Sequence, residues 1–249
     1  MYLNIKGLIL RVTNYNDHDA MLTILTGTHG RLSVKARGLR RKNSPLTASC
    51  QLLAYSEFTL FEYKGMYTIN EARSIELFQQ LHRDLQKLSL GTYFAQVAEV
   101  LSQEDQPNPE LLSLVLNCLY SLSKLQLPEE KVKAVFDLRS ACLGGYTPDL
   151  QGCCHCGNPS PDRLDISAGQ LECSTCRDFV SDGIRMPLVP GALEAMRYIS
   201  NCDSKQLFSF ETGEDSLHCL AQASEAYLTT QLERGFSALD FYKSLLIDI

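Results

Sequence analysis

Four cysteines in the second half of the chain carry the spacing of a metal centre. Cys153, Cys156, Cys173 and Cys176 form C-x2-C-x16-C-x2-C, within the range of four-cysteine zinc sites. Each C-x-x-C lets two thiolates from one tight turn reach the same ion, and Gly157 suits such a turn. Between the pairs, "RLDISAGQLEC" reads as a short hairpin about Gly169 that returns the second pair to the first. Cys154 and His155 sit inside the first pair, and either could substitute for a neighbour. Four thiolates fill a tetrahedral site, whereas catalytic zinc keeps a position open for water. A nucleotide deaminase would also need H-x-E ahead of P-C-x-x-C, which does not occur. The expected cofactor is therefore a structural Zn2+ that supplies folding energy to a module with little core of its own. As a DNA surface the module is poor, with Arg163 and Arg177 against Asp162, Asp165 and Glu172.

The second candidate for chemistry is ionic. "KARGLRRKNSP", residues 35–45, holds Lys35, Arg37, Arg40, Arg41 and Lys42 and no acid. Gly38 and Pro45 mark it as a loop leaving a strand. Charge along the chain is uneven. Residues 1–79 carry ten Lys/Arg against six Asp/Glu, a net +4, and the remainder is −10 within an overall −6. A basic front on an acidic protein points to an anionic partner for that part. If all five loop charges met phosphates of a single strand, log K would fall with log salt at about −3.5, about −0.7 for each. A solvated surface loop is the plain alternative.

The elements that must position these groups change character along the chain. "YLNIKGLILRVTNY", "AMLTILT", "RLSVKARG", "QLLAYSEFTLFEY" and "MYTINEARSI" read as five short strands, antiparallel by turn length. Five strands in fewer than eighty residues suggest a small closed barrel. The OB-fold is the five-stranded form used on single-stranded nucleic acid, and an SH3-like barrel is not separated from it by strand reading. In strand 52–63, Tyr55, Phe61 and Tyr63 share one face and Phe58 and Leu60 the other. Both faces are apolar, so core is the expected fate of any one aromatic, and stacking on bases is the alternative.

From about residue 75, Ile75, Phe78, Leu81, Leu85 and Leu88 take up a helical period. Asn108 and Pro109 cap and open a second helix, Pro128 opens a third, and Gly144-Gly145 ends it. Helical patterns return in "VPGALEAMRYIS" and "EDSLHCLAQASEAYLTTQLERGF". The expected architecture is α+β: an OB-fold at 1–79, a helical domain at 80–149 and 186–249, and a zinc module inserted at 150–185.

Ten cysteines without a secretory signal suggest a reducing, cytosolic setting, and no apolar run approaches the length of a membrane helix. There is no Walker A loop for nucleotide hydrolysis and no nucleophile elbow. Two other classes are weaker. A zinc-containing, sequence-specific DNA-binding regulator would need a helix with clustered Lys/Arg, which is missing. A metal-dependent nuclease would need a carboxylate constellation that the spacing does not display.

With these features in order, the chain resembles the bacterial recombination-mediator family RecO. "DHDAMLTILTGTHGRLSVKARGLRRKNSP" is similar to the family's N-terminal barrel signature. "FDLRSACLGGYTPDLQGCCHCG" is similar to its helix, link and first zinc knuckle, and "YLTTQLERGFSALDFYKSLL" to its C-terminal helix. The resemblance implies a non-catalytic protein that binds single- and double-stranded DNA and anneals complementary strands. It further implies action with RecR and RecF to load RecA onto strands coated by single-stranded DNA-binding protein, whose C-terminal tail would dock on the helical domain. Its DNA contact would fall on basic barrel residues, here Lys35, Arg37, Arg40, Arg41 and Lys42. The implied location is the bacterial cytoplasm, at the nucleoid during repair.

Overall fold

A computed structural model of the chain describes residues 1–176 and 183–247. The N-terminal part is a closed barrel of β1 (Tyr2–Tyr15), β2 (Asp19–Thr26), β3 (Arg31–Ala36), β4 (Tyr55–Tyr63) and β5 (Met66–Glu76), in the order β1-β2-β3-β5-β4. This is the OB-fold barrel. Strand β1 is long enough to serve two partners: its first half pairs with β4 and its second with β2. The handover falls at Gly7, which faces Thr26 on one side and Ser56 on the other. A Cβ there would press on Ile24 and the Leu25 carbonyl, so the bend requires glycine. Alternation along the strands buries Ile5, Ile9, Leu22, Ile24, Val34, Phe58 and Leu60 inside the barrel.

Two expectations about the barrel need correction. The strands are not all antiparallel, because β3 and β5 close the barrel in parallel through Val34↔Tyr67 and Lys35↔Thr68. In addition, β4 starts at Tyr55, not residue 52. Leu53 takes a left-handed φ of 64°, and residues 53 and 54 hydrogen-bond Ile9 where β1 bulges.

The chain forms two compact units, Met1–Gln126 with Phe236–Ile249, and Leu127–Gly235. In the first, α1 (Leu85–Leu101) and α2 (Pro109–Tyr120) pack on the barrel, and α6 (Ser237–Ile247) packs on α1. The helical period read from residue 75 starts ten residues later than expected. Strand β5 runs to Glu76, Ile75 is exposed, and Phe78 is left-handed at φ 47°. Asp84 then caps α1, accepting from the backbone N–H groups of Gln86 and Lys87. Asn108 caps α2 by accepting from Leu111 N–H, with Pro109 at the first helical position, as the sequence implies. Helix α1 braces the barrel: Arg31 donates to the Glu99 carbonyl at 2.7 Å, and Arg11 pairs with the Glu99 carboxylate at 2.8 Å.

The second unit holds α3 (Glu129–Leu143), α4 (Pro190–Asn201) and α5 (Glu214–Gln231). With them is a small sheet of β6 (Asp149–Cys153), β7 (Arg163–Asp165), β8 (Gln170–Glu172) and β9 (Arg185–Pro187), in the order β6-β8-β7-β9. Gly145, at φ +91°, ends α3. The segment read as one C-terminal helix is broken. Glu233 is left-handed at φ 51° before Gly235, so α5 and α6 are separate and fall in different units.

Candidate nucleic-acid interface and metal centre

The basic loop leaves β3 at Ala36 and is exposed through Arg37, Arg40, Arg41 and Lys42. Its five cations are not equivalent. Lys35, still on the strand, is only 19% exposed; it pairs with Asp19 at 3.0 Å and lies 4.8 Å from the Tyr15 ring centre. Arg40 is tied to the β1–β2 turn, donating its side chain to the Asn16 carbonyl at 3.0 Å and its backbone N–H to the His18 carbonyl. Among the described residues, the side chains of Arg37, Arg41 and Lys42 make no hydrogen bond or salt bridge, although the Arg41 backbone bonds Gly38 and Ser44. Three side chains therefore face solvent without a direct partner, Arg37 feeling only the nearby Asp19 charge, and two are engaged.

Asp19 is the residue that sets this division. Its carboxylate accepts the Gly38 N–H at 2.8 Å and holds Lys35. The Gly38 bond first, then the lysine, keep its pKa below the usual carboxylate range. Asp19→Asn preserves an acceptor for Gly38 and removes the charge that holds Lys35. The expected result is single-strand binding about five-fold tighter near 0.1 M salt, with a log–log salt slope steeper by about 0.7. Anisotropy titrations across a salt series measure both.

The aromatic faces of β4 resolve in one direction. Phe58 and Leu60 are fully buried, while Phe61 and Tyr63 point outward at 41% and 61% exposure. Tyr2, which the sequence reading did not single out, is 63% exposed and lies beside Phe61 with ring centres 5.4 Å apart. Its outward position follows from β1 parity once Leu3 and Ile5 are known to face the β4 core residues Leu60 and Phe58.

The cysteine segment folds as its spacing demands. Strands β7 and β8 are antiparallel about Gly169, at φ +67°, and Gly157, at φ +73°, closes the first turn. The Sγ atoms of Cys153, Cys156, Cys173 and Cys176 all lie within 4.8 Å of one another, with Cys156 and Cys173 3.9 Å apart. A tetrahedral ion with metal–sulfur bonds of about 2.3 Å needs sulfurs about 3.8 Å apart. The donor set fits one metal ion.

Electrostatics favour a cation there. Burial alone would raise the Cys153 thiol. Backbone N–H groups of Cys156, His155 and Cys173 outweigh it and bring the pKa to about 6, while contact with Cys156 and burial push Cys176 to about 12. The Cys153 thiolate forms easily, and a cation beside it would help Cys176 to follow. Cys154 and His155 stand outside this group, near Glu172, which is already paired with Arg185. Arg177 lies outside the described residues.

Comparison with known proteins agrees with both halves. Residues 1–78 match the family model described as Recombination protein O N terminal, and residues 82–240 the one described as Recombination protein O C terminal. The chain is similar to the DNA repair protein RecO of Acetivibrio thermocellus, 36% identical over 247 residues that cover 98% of this chain and 97% of the relative. That of Heliobacterium modesticaldum is 32% identical over 84% of this chain and 77% of its own length. That of Alkaliphilus metalliredigens is 27% identical over 98% and 100%. With an OB-fold barrel in front and a four-cysteine cluster behind it, the chain belongs to the RecO family of DNA repair proteins.

Proposed function

We propose that the chain is a non-catalytic mediator that binds single- and double-stranded DNA through the barrel's basic loop and anneals complementary strands. With RecR and RecF, it would then help load RecA onto strands coated by single-stranded DNA-binding protein. The observation that carries this reading is the set of three exposed cationic side chains without a hydrogen-bonded or salt-bridged partner, Arg37, Arg41 and Lys42, on the OB-fold of a RecO-family chain. Lys35 and Arg40 flank them, held by Asp19 and by the Asn16 carbonyl.

The physical logic needs no covalent step. Two single strands repel through their phosphates, and a cationic surface that neutralises part of each lowers the cost of bringing them together. Zn2+ is the proposed ion for Cys153, Cys156, Cys173 and Cys176. Bound there, it supplies folding energy and no reactive position, because four thiolates complete its shell. No helix among the described residues is long and apolar enough to cross a membrane, and the proposed setting is the bacterial cytoplasm at the nucleoid. Docking of the single-stranded DNA-binding protein's C-terminal tail belongs, on this reading, to the helical part.

One assay separates the readings. The protein is mixed with complementary single strands coated by their binding protein, without ATP or added metal. Duplex formation is the expected result. Strand cleavage would point to a nuclease, and preference for one duplex sequence to a regulator.

A further inference from the structure

The outer face of the barrel carries aromatic rings that no core requirement explains. Strand register lines them up: Tyr2 lies opposite Phe61, Phe61 opposite Thr68, and Thr68 opposite Lys35. This row crosses β1, β4, β5 and β3, about 14 Å at the usual strand spacing. At the β4–β5 hairpin, Tyr63 lies opposite Met66, and both are about 60% exposed. An ammonium stands over a ring beyond each end of the set: Lys64 is 5.4 Å from the Tyr63 ring centre, and Lys35 is 4.8 Å from that of Tyr15.

We infer that Tyr2 and Phe61, with Tyr63 beside them, form a platform on which unpaired bases of a single strand stack. The inference rests on the DNA-binding reading above and adds to it a basis for telling single strands from duplexes. Three observations favour this occupant over a protein. The exposed groups are largely flat rings, which accept any base face. They lie in one row with Lys35, so a strand whose phosphates follow the basic loop is led across them. The row is also bracketed by ammonium groups rather than by an unbroken aliphatic surface, which suits a partner that alternates π faces with negative charge.

Acidic groups confine the path to this end of the sheet. Glu57 and Glu71 are exposed on neighbouring rows, Glu57 lying between Lys6 and Arg73 across the strands. Glu62 is turned to the hairpin, where its carboxylate accepts from Gly65 N–H. Bases inside a duplex are stacked on each other and expose no face, so the platform serves single strands alone.

The test uses the full chain with Tyr2→Ala/Phe61→Ala, and separately Phe61→Trp, a clean reporter because the sequence contains no tryptophan. Probes are a short oligothymidylate, an abasic strand of equal charge, and a duplex. For the double variant, oligothymidylate affinity should fall about 5- to 150-fold, the range of one stacked base. Its salt slope and its duplex affinity should be unchanged. Emission from the tryptophan variant should be quenched by oligothymidylate and not by the abasic strand. The platform is overturned if the double variant binds oligothymidylate like the parent while loss of the loop cations still weakens binding. It is equally overturned if the tryptophan responds alike to both strands, or if the parent is a dimer that the double variant dissolves. Failure of the parent to bind any strand would remove the DNA reading itself.

Discussion

Arg37→Ala/Arg41→Ala/Lys42→Ala should lower single-strand affinity about a hundred-fold near 0.1 M salt and flatten the log–log salt slope by about 2. The magnitude follows from counterion release, at about 0.7 for each neutralised phosphate on a single strand, and from three cationic side chains that no hydrogen bond or salt bridge engages. The same logic distinguishes these residues from their neighbours. Arg40→Ala should cost less in slope, because its guanidinium is already bound to the Asn16 carbonyl. The parent slope should therefore lie nearer −2 than the −3.5 that five equal charges would produce. Because the side chains are exposed and outside the barrel core, thermal unfolding of the triple variant should match the parent. Equal affinity in parent and variant would show that the strand uses another surface.

Cys153→Ala/Cys173→Ala is the change with the largest expected effect on stability. Bound zinc should drop from one per chain to none, and the 127–235 unit should lose cooperative unfolding. Structural zinc in small modules is worth about 10–16 kcal/mol of apparent binding energy near neutral pH, comparable to the whole stability of a typical domain, about 5–15 kcal/mol. The sheet β6–β9 buries only a few apolar side chains, Leu150, Leu164 and Leu171 among them, so little else can hold it. Acidification acts in the same direction. Ligand thiolates must shed protons to bind, so lowering pH weakens metal retention. Metal analysis and calorimetry check these points. DNA affinity should survive, since the basic loop belongs to the other unit. A metal-free double variant with unaltered melting would contradict the assignment.

Local chemistry was legible in the sequence, and distant pairing was not. Asn108-Pro109 announced the start of α2 because capping depends on a side chain and a backbone three residues on. The cysteine spacing announced the cluster because each pair is fixed by one turn and the hairpin about Gly169 joins the two. Ile75 misled because its spacing fits a helix as well as a strand. Only the pairing of Tyr55 with Glu76 shows that the strand continues there. The two faces of β4 were equally apolar in composition, so barrel closure, not pattern, decided that Phe58 went in and Phe61 out. The Asp19–Lys35 contact joins residues on paired strands, and charge counting along the chain could not find it.

The connection from β3 to β4, 18 residues long, is of a length usually given to mobile tethers. Here it is sewn down: Gly38 to Asp19, Arg40 to the β1–β2 turn, Cys50 N–H to the Leu46 carbonyl, and Ser49 to both Ser56 and Ser74. A segment held at so many points has already surrendered most of its conformational entropy during folding. Less remains to be lost when a ligand arrives. Any anionic partner of these cations would thus meet a preorganised surface, which would let few charges achieve what a floppy arm would need many to do.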